Sequence, residues 1–147
     1  MNRSNKDVSK FRLDGQAALI TGSTRGLGWA IARGMAESGS TVYVNGRDKK
    51  VLADRCKNLI DLGYDAKPAF FDATNIEAIN RFLDYTETPI DILVNNAAIR
   101  LRKPLNEISP KAFSEVLEAN LTSIYAISRR FAARLEDQQT KGSLINI

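Results

Sequence analysis

The chain holds 147 residues, 44% of them hydrophobic and 26% charged, which suits one soluble globular domain and is too short for two comfortable ones. Its single cysteine, Cys56, excludes an internal disulfide, and the absence of histidine excludes a Cys/His zinc site, so no metal is expected. The net charge of +4 comes from basic residues that are scattered rather than blocked, so neither nucleic acid nor a membrane surface is the expected partner.

Residues 1–10 are polar and without periodicity and read as a flexible leader, so the domain is expected over 11–147. No segment has the apolar length of a membrane span or the core of a signal peptide, and a cytoplasmic protein is expected. Asp14-Gly15 makes a turn before a first strand, Ala17 to Ile20. Helical spacing then takes over, with Leu27, Ile31 and Met35 four apart and Gly39 as the stop. Thr41 to Val44 is β-branched and aromatic and reads as a second strand. Asp48 can cap a helix that carries Leu52, Cys56, Leu59 and Leu62 on one face and ends at Gly63. Cys56 falls inside that stripe and reads as a core residue rather than a nucleophile.

A third strand is expected from Ala66 to Phe71, at a sheet edge because Pro68 cannot donate to a ladder. Thr74 to Glu77 reads as a capping box before a helix bearing Ile79, Phe82 and Leu83, closed by Pro89. Asp91 to Asn95 is a near-continuous apolar run, hence a buried fourth strand. After a loop, Ser109-Pro110 starts a short helix, followed by a longer one with Leu121, Ile124, Phe131 and Leu135 as its apolar positions. Leu144 to Ile147 reads as a fifth strand. This alternation predicts an α/β fold, a doubly wound parallel sheet with helices on both faces.

Gly22, Gly26 and Gly28 stand where the first strand hands over to the first helix. Without side chains there, a pyrophosphate can approach the free N–H groups and the positive dipole end of the helix. Glycines are also plain turn formers, but strand, turn and helix follow one another as a dinucleotide site requires. No Gly-Lys-Ser/Thr ending follows, which argues against a P-loop.

Thr21-Gly22-Ser23-Thr24-Arg25-Gly26-Leu27-Gly28 resembles the T-G-x-x-x-G-x-G cofactor motif of the classical short-chain dehydrogenase/reductase family. That likeness implies a Rossmann-type sheet of order 3-2-1-4-5 and places Gly22 through Gly28 against the cofactor. Asn45, Gly46 and Arg47 follow the second strand, where an acidic residue would bind the 2′-hydroxyl of NAD and an arginine the 2′-phosphate of NADP. Arg47 there and Arg25 inside the glycine turn favour NADP(H) over NAD(H). Asp72-Ala73 is similar to the family step whose aspartate touches adenine. Asn95-Asn96-Ala97-Ala98 resembles its N-N-A-G motif, which supports the sheet and lines the ribose, with Ala98 departing from the pattern. Asn120 matches the helix asparagine of the catalytic tetrad, which holds a water in a proton relay.

The family's serine follows the fifth strand, and its Tyr-x-x-x-Lys lies on the next helix. Neither Tyr125 with Arg129 nor Ser143 fits those places, because the first pair precedes the fifth strand and Ser143 lies at the strand's beginning. The expectation is therefore the cofactor-binding part of an oxidoreductase, truncated after the fifth strand and inactive alone. Completed, it would move a hydride between NADP(H) and a small alcohol or carbonyl. Arg100, Arg102 and Lys103, with the Asn-Gly-Arg selector, are similar to the gluconate 5-dehydrogenase-like branch, which handles sugar acids. The isolated chain is expected to be poorly stable and to associate, as a homo-oligomer or through a bare sheet edge. The alternative is a non-catalytic fragment that binds a nucleotide or a partner.

Overall fold

The computed structural model describes residues 11–147. The leader expected over 1–10 lies outside the described residues.

Five strands alternate with helices: β1 (Ala17–Ile20), α1 (Gly26–Glu37), β2 (Thr41–Gly46), α2 (Lys49–Asp61), β3 (Ala66–Phe70), α3 (Ile76–Tyr85), β4 (Ile92–Asn95), α4 (Pro110–Leu117), α5 (Ser123–Asp137) and β5 (Ser143–Asn146). The strands form one sheet in the order β3-β2-β1-β4-β5, and all four pairings are parallel. Parallel neighbours need long crossovers, which the intervening helices supply. The expected architecture and strand order are both present. Pro68 does lie on an edge strand, since among the described residues β3 pairs only with β2.

Successive residues of a strand point to opposite faces, and the core divides accordingly. Ala18, Ile20, Val42, Val44, Ile92 and Val94 meet α1 and α2 through Ala32, Ala36, Leu52, Cys56 and Leu59. Ala17, Leu19, Tyr43 and Leu93 turn to the other face, against Ile79, Leu83, Ile127 and Phe131 of α3 and α5. Each fully buried Leu, Ile or Phe contributes about 1.5–3 kcal/mol. Arg130 of α5 also donates to Asp84 of α3, with Nε at 3.0 Å, and ties together the two helices on that face.

The helices differ from the expected stripes and caps in four places. Gly28, Ala32 and Ala36 form the buried line of α1, with Ile31 and Met35 as partly buried flanks, while Leu27 is 58% exposed. Small residues let α1 lie close to the sheet, and that proximity outweighs the size of Leu27 in choosing the face. At α3 the cap is Asn75, which accepts from the Ala78 N–H at 2.9 Å, while Thr74 is held by Asp72, so the expected Thr74 box is not formed. Before α5 the backbone passes through a π-helical turn, Glu118–Thr122. The wider turn shifts the phase, so Ser123, Ile127 and Phe131 are buried and Leu121 is exposed. Leu62, just past α2, is exposed as well.

Cys56 packs into the core at 5% exposure, and burial pushes its thiol up to about 11. The thiolate is the reactive form, so the native protein should react with a disulfide reagent about a hundredfold more slowly than the urea-unfolded chain at pH 7.5. Rapid stoichiometric labelling of the native protein would place Cys56 outside the core.

Candidate functional site

In this strand order β1 lies between β2 and β4, and successive connections leave it in opposite directions. The loops at the carboxyl ends of these strands therefore part and leave a crevice, the usual ligand position of an open α/β sheet.

Gly22 and Gly26 both take positive φ, +62° and +58°, which lets the chain reverse between β1 and α1. A Cβ on Gly22 would also stand 3.0 Å from Ala97 Cα, so the turn and the loop after β4 lie backbone to backbone. Thr21 joins them: its Oγ1 accepts from the Asn96 and Ala97 N–H groups at 2.9 and 3.0 Å. Asn96 Nδ2 donates back to the Thr21 and Gly22 carbonyls.

Ser23 and Asn45 lock the turn to β2. Ser23 Oγ donates to the Ile20 carbonyl at 2.7 Å and accepts from the Asn45 N–H at 2.9 Å. Asn45 Oδ1 accepts from the Gly22 N–H, while Nδ2 donates to the Ala69 and Phe71 carbonyls. Ser23 is fully buried and Asn45 is 2% exposed, so their side chains hold the walls of the crevice rather than face into it. Thr24 packs on the end of β2, its Cγ2 2.5 Å from where a Cβ on Gly46 would stand.

The start of α1 differs from the starts of α2, α3 and α4. Asp48, Asn75 and Ser109 cap those helices with side-chain oxygens. Arg25, the N-cap of α1, makes no such bond, and the first turn carries no acidic residue. Among the described residues the leading N–H groups of α1 have no side-chain acceptor, and the dipole end there is positive. A Cβ on Gly26 would meet nothing within 4 Å among the described residues, so they leave the space above this turn open.

Arg25 and Arg47 are both exposed, and Arg47 Nη1 donates to Asp72 Oδ2 at 3.3 Å. Asp72 Oδ1 accepts from the Thr74 N–H and hydroxyl, forming the turn after β3 in which Ala73 is half-buried. Burial pushes the Asp72 carboxyl up, but the Thr74 bonds and the Arg47 guanidinium outweigh it and hold it below the usual carboxylate range. Asn95, 1% exposed, donates through Nδ2 to Ser128 Oγ and Asn146 Oδ1, which joins β4, α5 and β5. Its Oδ1 has no hydrogen-bond partner among the described residues. Asn120 stands in the π turn and holds both backbone groups of Ile99, accepting from its N–H and donating to its carbonyl at 2.9 Å each.

The structure thus gathers Gly22, Ser23, Thr24, Gly28, Asn45 and Ala97 around one turn, whereas Asn120 meets the loop beyond β4. Thr21 and Asn96, members of the two motifs that the sequence shows but not among its candidate site residues, tie the glycine turn to the loop after β4. Arg55 of α2 also touches the turn and carried no sequence signal.

A glycine turn opening on an uncapped helix at the switch point of a parallel sheet defines a Rossmann-like nucleotide-binding fold. The family profile described as short chain dehydrogenase matches residues 16–147, and the chain belongs to that family. Gluconate 5-dehydrogenase of Gluconobacter oxydans is 34% identical over 140 residues, covering 93% of this chain and 54% of that protein. The 5-keto-D-gluconate 5-reductase of Escherichia coli K12 is 30% identical, covering 93% and 55%. A crystal structure of a gluconate 5-dehydrogenase from Burkholderia cenocepacia, in complex with NADP and tartrate, aligns with a TM-score of 0.87 at 34% identity over 95% of this chain and 55% of that one. The chain spans about half the length of these relatives. Among the described residues no helix is long and apolar enough to cross a membrane.

Proposed function

We propose that this chain is the cofactor-binding part of an NADP(H)-dependent oxidoreductase acting on a small alcohol or carbonyl, with a sugar acid as the substrate class. The uncapped start of α1 behind the Gly22–Gly26 turn carries this reading, since it offers N–H groups and a positive dipole end to an anion. Gly22, Thr24, Gly26, Leu27 and Gly28 form the pyrophosphate cradle through their backbone. Ser23, Asn45 and Asn95 shape it from behind. Arg25 and Arg47 receive the 2′-phosphate, and Arg47 exchanges or shares its exposed pairing with Asp72 to do so. Asp72 and Ala73 border the adenine, and Ala97 borders the ribose. Asn120 positions a water of the proton relay.

The nicotinamide, when bound, accepts or delivers the hydride. The residues above bind and orient it, while proton transfer belongs to a serine, tyrosine and lysine not assigned in these 147 residues. By this reading the chain alone binds cofactor without turnover. The sugar-acid class draws on the gluconate relatives and on the basic loop of Arg100, Arg102 and Lys103. The second reading, a nucleotide- or partner-binding fragment without catalysis, draws on β5, an outer strand whose Leu144 and Ile145 are 41% and 40% exposed. It predicts association through that edge in sedimentation and no turnover in any longer form.

Calorimetric titration tests the cofactor reading. NADP+ should bind about tenfold or more tightly than NAD+, as a charge-assisted bond contributes about 1.5–3 kcal/mol. Arg25→Ser with Arg47→Ser should reduce that preference severalfold and leave NAD+ binding within about twofold. Equal affinity of the unmodified protein for both would overturn the NADP assignment, and binding of neither would overturn the cofactor reading.

A further inference from the structure

Arg55 stands on α2, outside the glycine motif and the segment after β2. Its guanidinium lies over the Trp29 ring of α1, 4.8 Å from the centroid, and its Nε donates to the Thr24 carbonyl at 2.8 Å. Stacking on one face and bonding at one edge hold the group in a single orientation, so little freedom remains to be lost when a ligand binds. The four remaining N–H donors have no partner among the described residues. Among the described residues no carboxylate lies within ion-pair distance of Arg55, whereas Arg47 is already paired with Asp72. Thr24, the residue Arg55 grips, abuts Gly46 at the end of β2 and precedes Arg25. Arg55 therefore stands against the short stretch that separates the two arginines of the selector.

We infer that Arg55 is a third phosphate-recognising guanidinium and a determinant of specificity for a 2′-phosphorylated dinucleotide. The inference rests on the cofactor reading above and adds to it a residue on a different element. Trp29 and the Thr24 carbonyl hold the guanidinium in place beforehand, and its free donors present a planar fork to the phosphate oxygens. The same bond to Thr24 fixes the turn that carries Arg25. A dinucleotide lacking the 2′-phosphate uses the turn but not the charge.

The test compares NADP+ and NAD+ dissociation constants for the full protein, Arg55→Gln and Arg55→Lys, with circular dichroism to verify the fold. Arg55→Gln should weaken NADP+ about tenfold and NAD+ less than twofold, and Arg55→Lys should restore part of the NADP+ affinity through its charge. Trp29 is the only tryptophan, so its emission supplies a second readout. It should respond more to NADP+ than to NAD+, and that difference should vanish in Arg55→Gln. Equal weakening of both cofactors would reduce Arg55 to a support of the turn and overturn the inference, as would no weakening of either. If the unmodified protein binds neither dinucleotide, the cofactor reading itself fails, which is a distinct result.

Discussion

Gly28→Ala should lose more than tenfold in cofactor affinity and destabilise the fold by about 2–3 kcal/mol. The added methyl has no room: it would collide with Asn96 Nδ2 and stand 2.7 Å from the Gly22 carbonyl and 3.0 Å from Ser23 Cα. Two of those neighbours are backbone of the turn itself, so relief must come from moving the turn or tilting α1 off the sheet. Either movement displaces the leading N–H groups that the phosphates would use. Asn96 cannot swing aside freely, because its amide is bonded to the Thr21 and Gly22 carbonyls. Urea denaturation and calorimetric titration would check both halves. Unchanged affinity would mean that the start of α1 does not touch the cofactor.

Asn45→Ala should cost about 3 kcal/mol or more in urea denaturation. The amide satisfies three backbone groups at once, the half-buried Gly22 N–H and the buried Ala69 and Phe71 carbonyls. Alanine leaves all three without that partner, the two carbonyls in a place water does not reach. Asn45→Asp gives a sharper readout. It keeps an acceptor for the Gly22 N–H but turns a carboxylate oxygen toward two carbonyls. Repulsion and burial would raise the folded-state pKa of that aspartate above its unfolded value near 3.9. The ionised form is then the one disfavoured by folding, so the destabilisation should be least near pH 4 and grow as pH rises toward 7. A pH-independent loss would show that the carboxylate had found solvent, contrary to the burial of Asn45.

Asn45 and Arg47 also illustrate the limit of reading a site from its motif. They stand at the end of β2, Asn45 as its penultimate residue and Arg47 just past it, where a dinucleotide selector belongs, and spacing alone makes them alike. Folded, the first side chain is enclosed between the glycine turn and β3, and the second stands in solvent beside Asp72. Alternation alone would point residues two apart the same way, but β2 ends at Gly46, so Arg47 leaves the sheet while β3 and its following turn enclose Asn45. Arg55 is a stronger case, because nothing distinguishes it from other surface arginines until α1 brings Trp29 beneath it.

The sequence by itself determined the alternation of strand and helix, the glycine turn at the first crossover, the Asp48 and Ser109 caps, the edge position of β3 and the buried state of Cys56. These follow from periodicity, side-chain shape and backbone allowance over a few neighbouring residues, and such local preferences all agree with the fold. Tertiary structure alone decided that Gly28, Ala32 and Ala36 rather than Leu27 face the sheet, and that a π turn rephases α5. It also decided that Asn45 is enclosed and that Arg55 reaches Thr24. Each of these depends on partners more than twenty residues away in the chain, such as Asn45 with Ala69 and Arg55 with Thr24. The energy that selects them arises only when packed elements exclude water and compete for the same space.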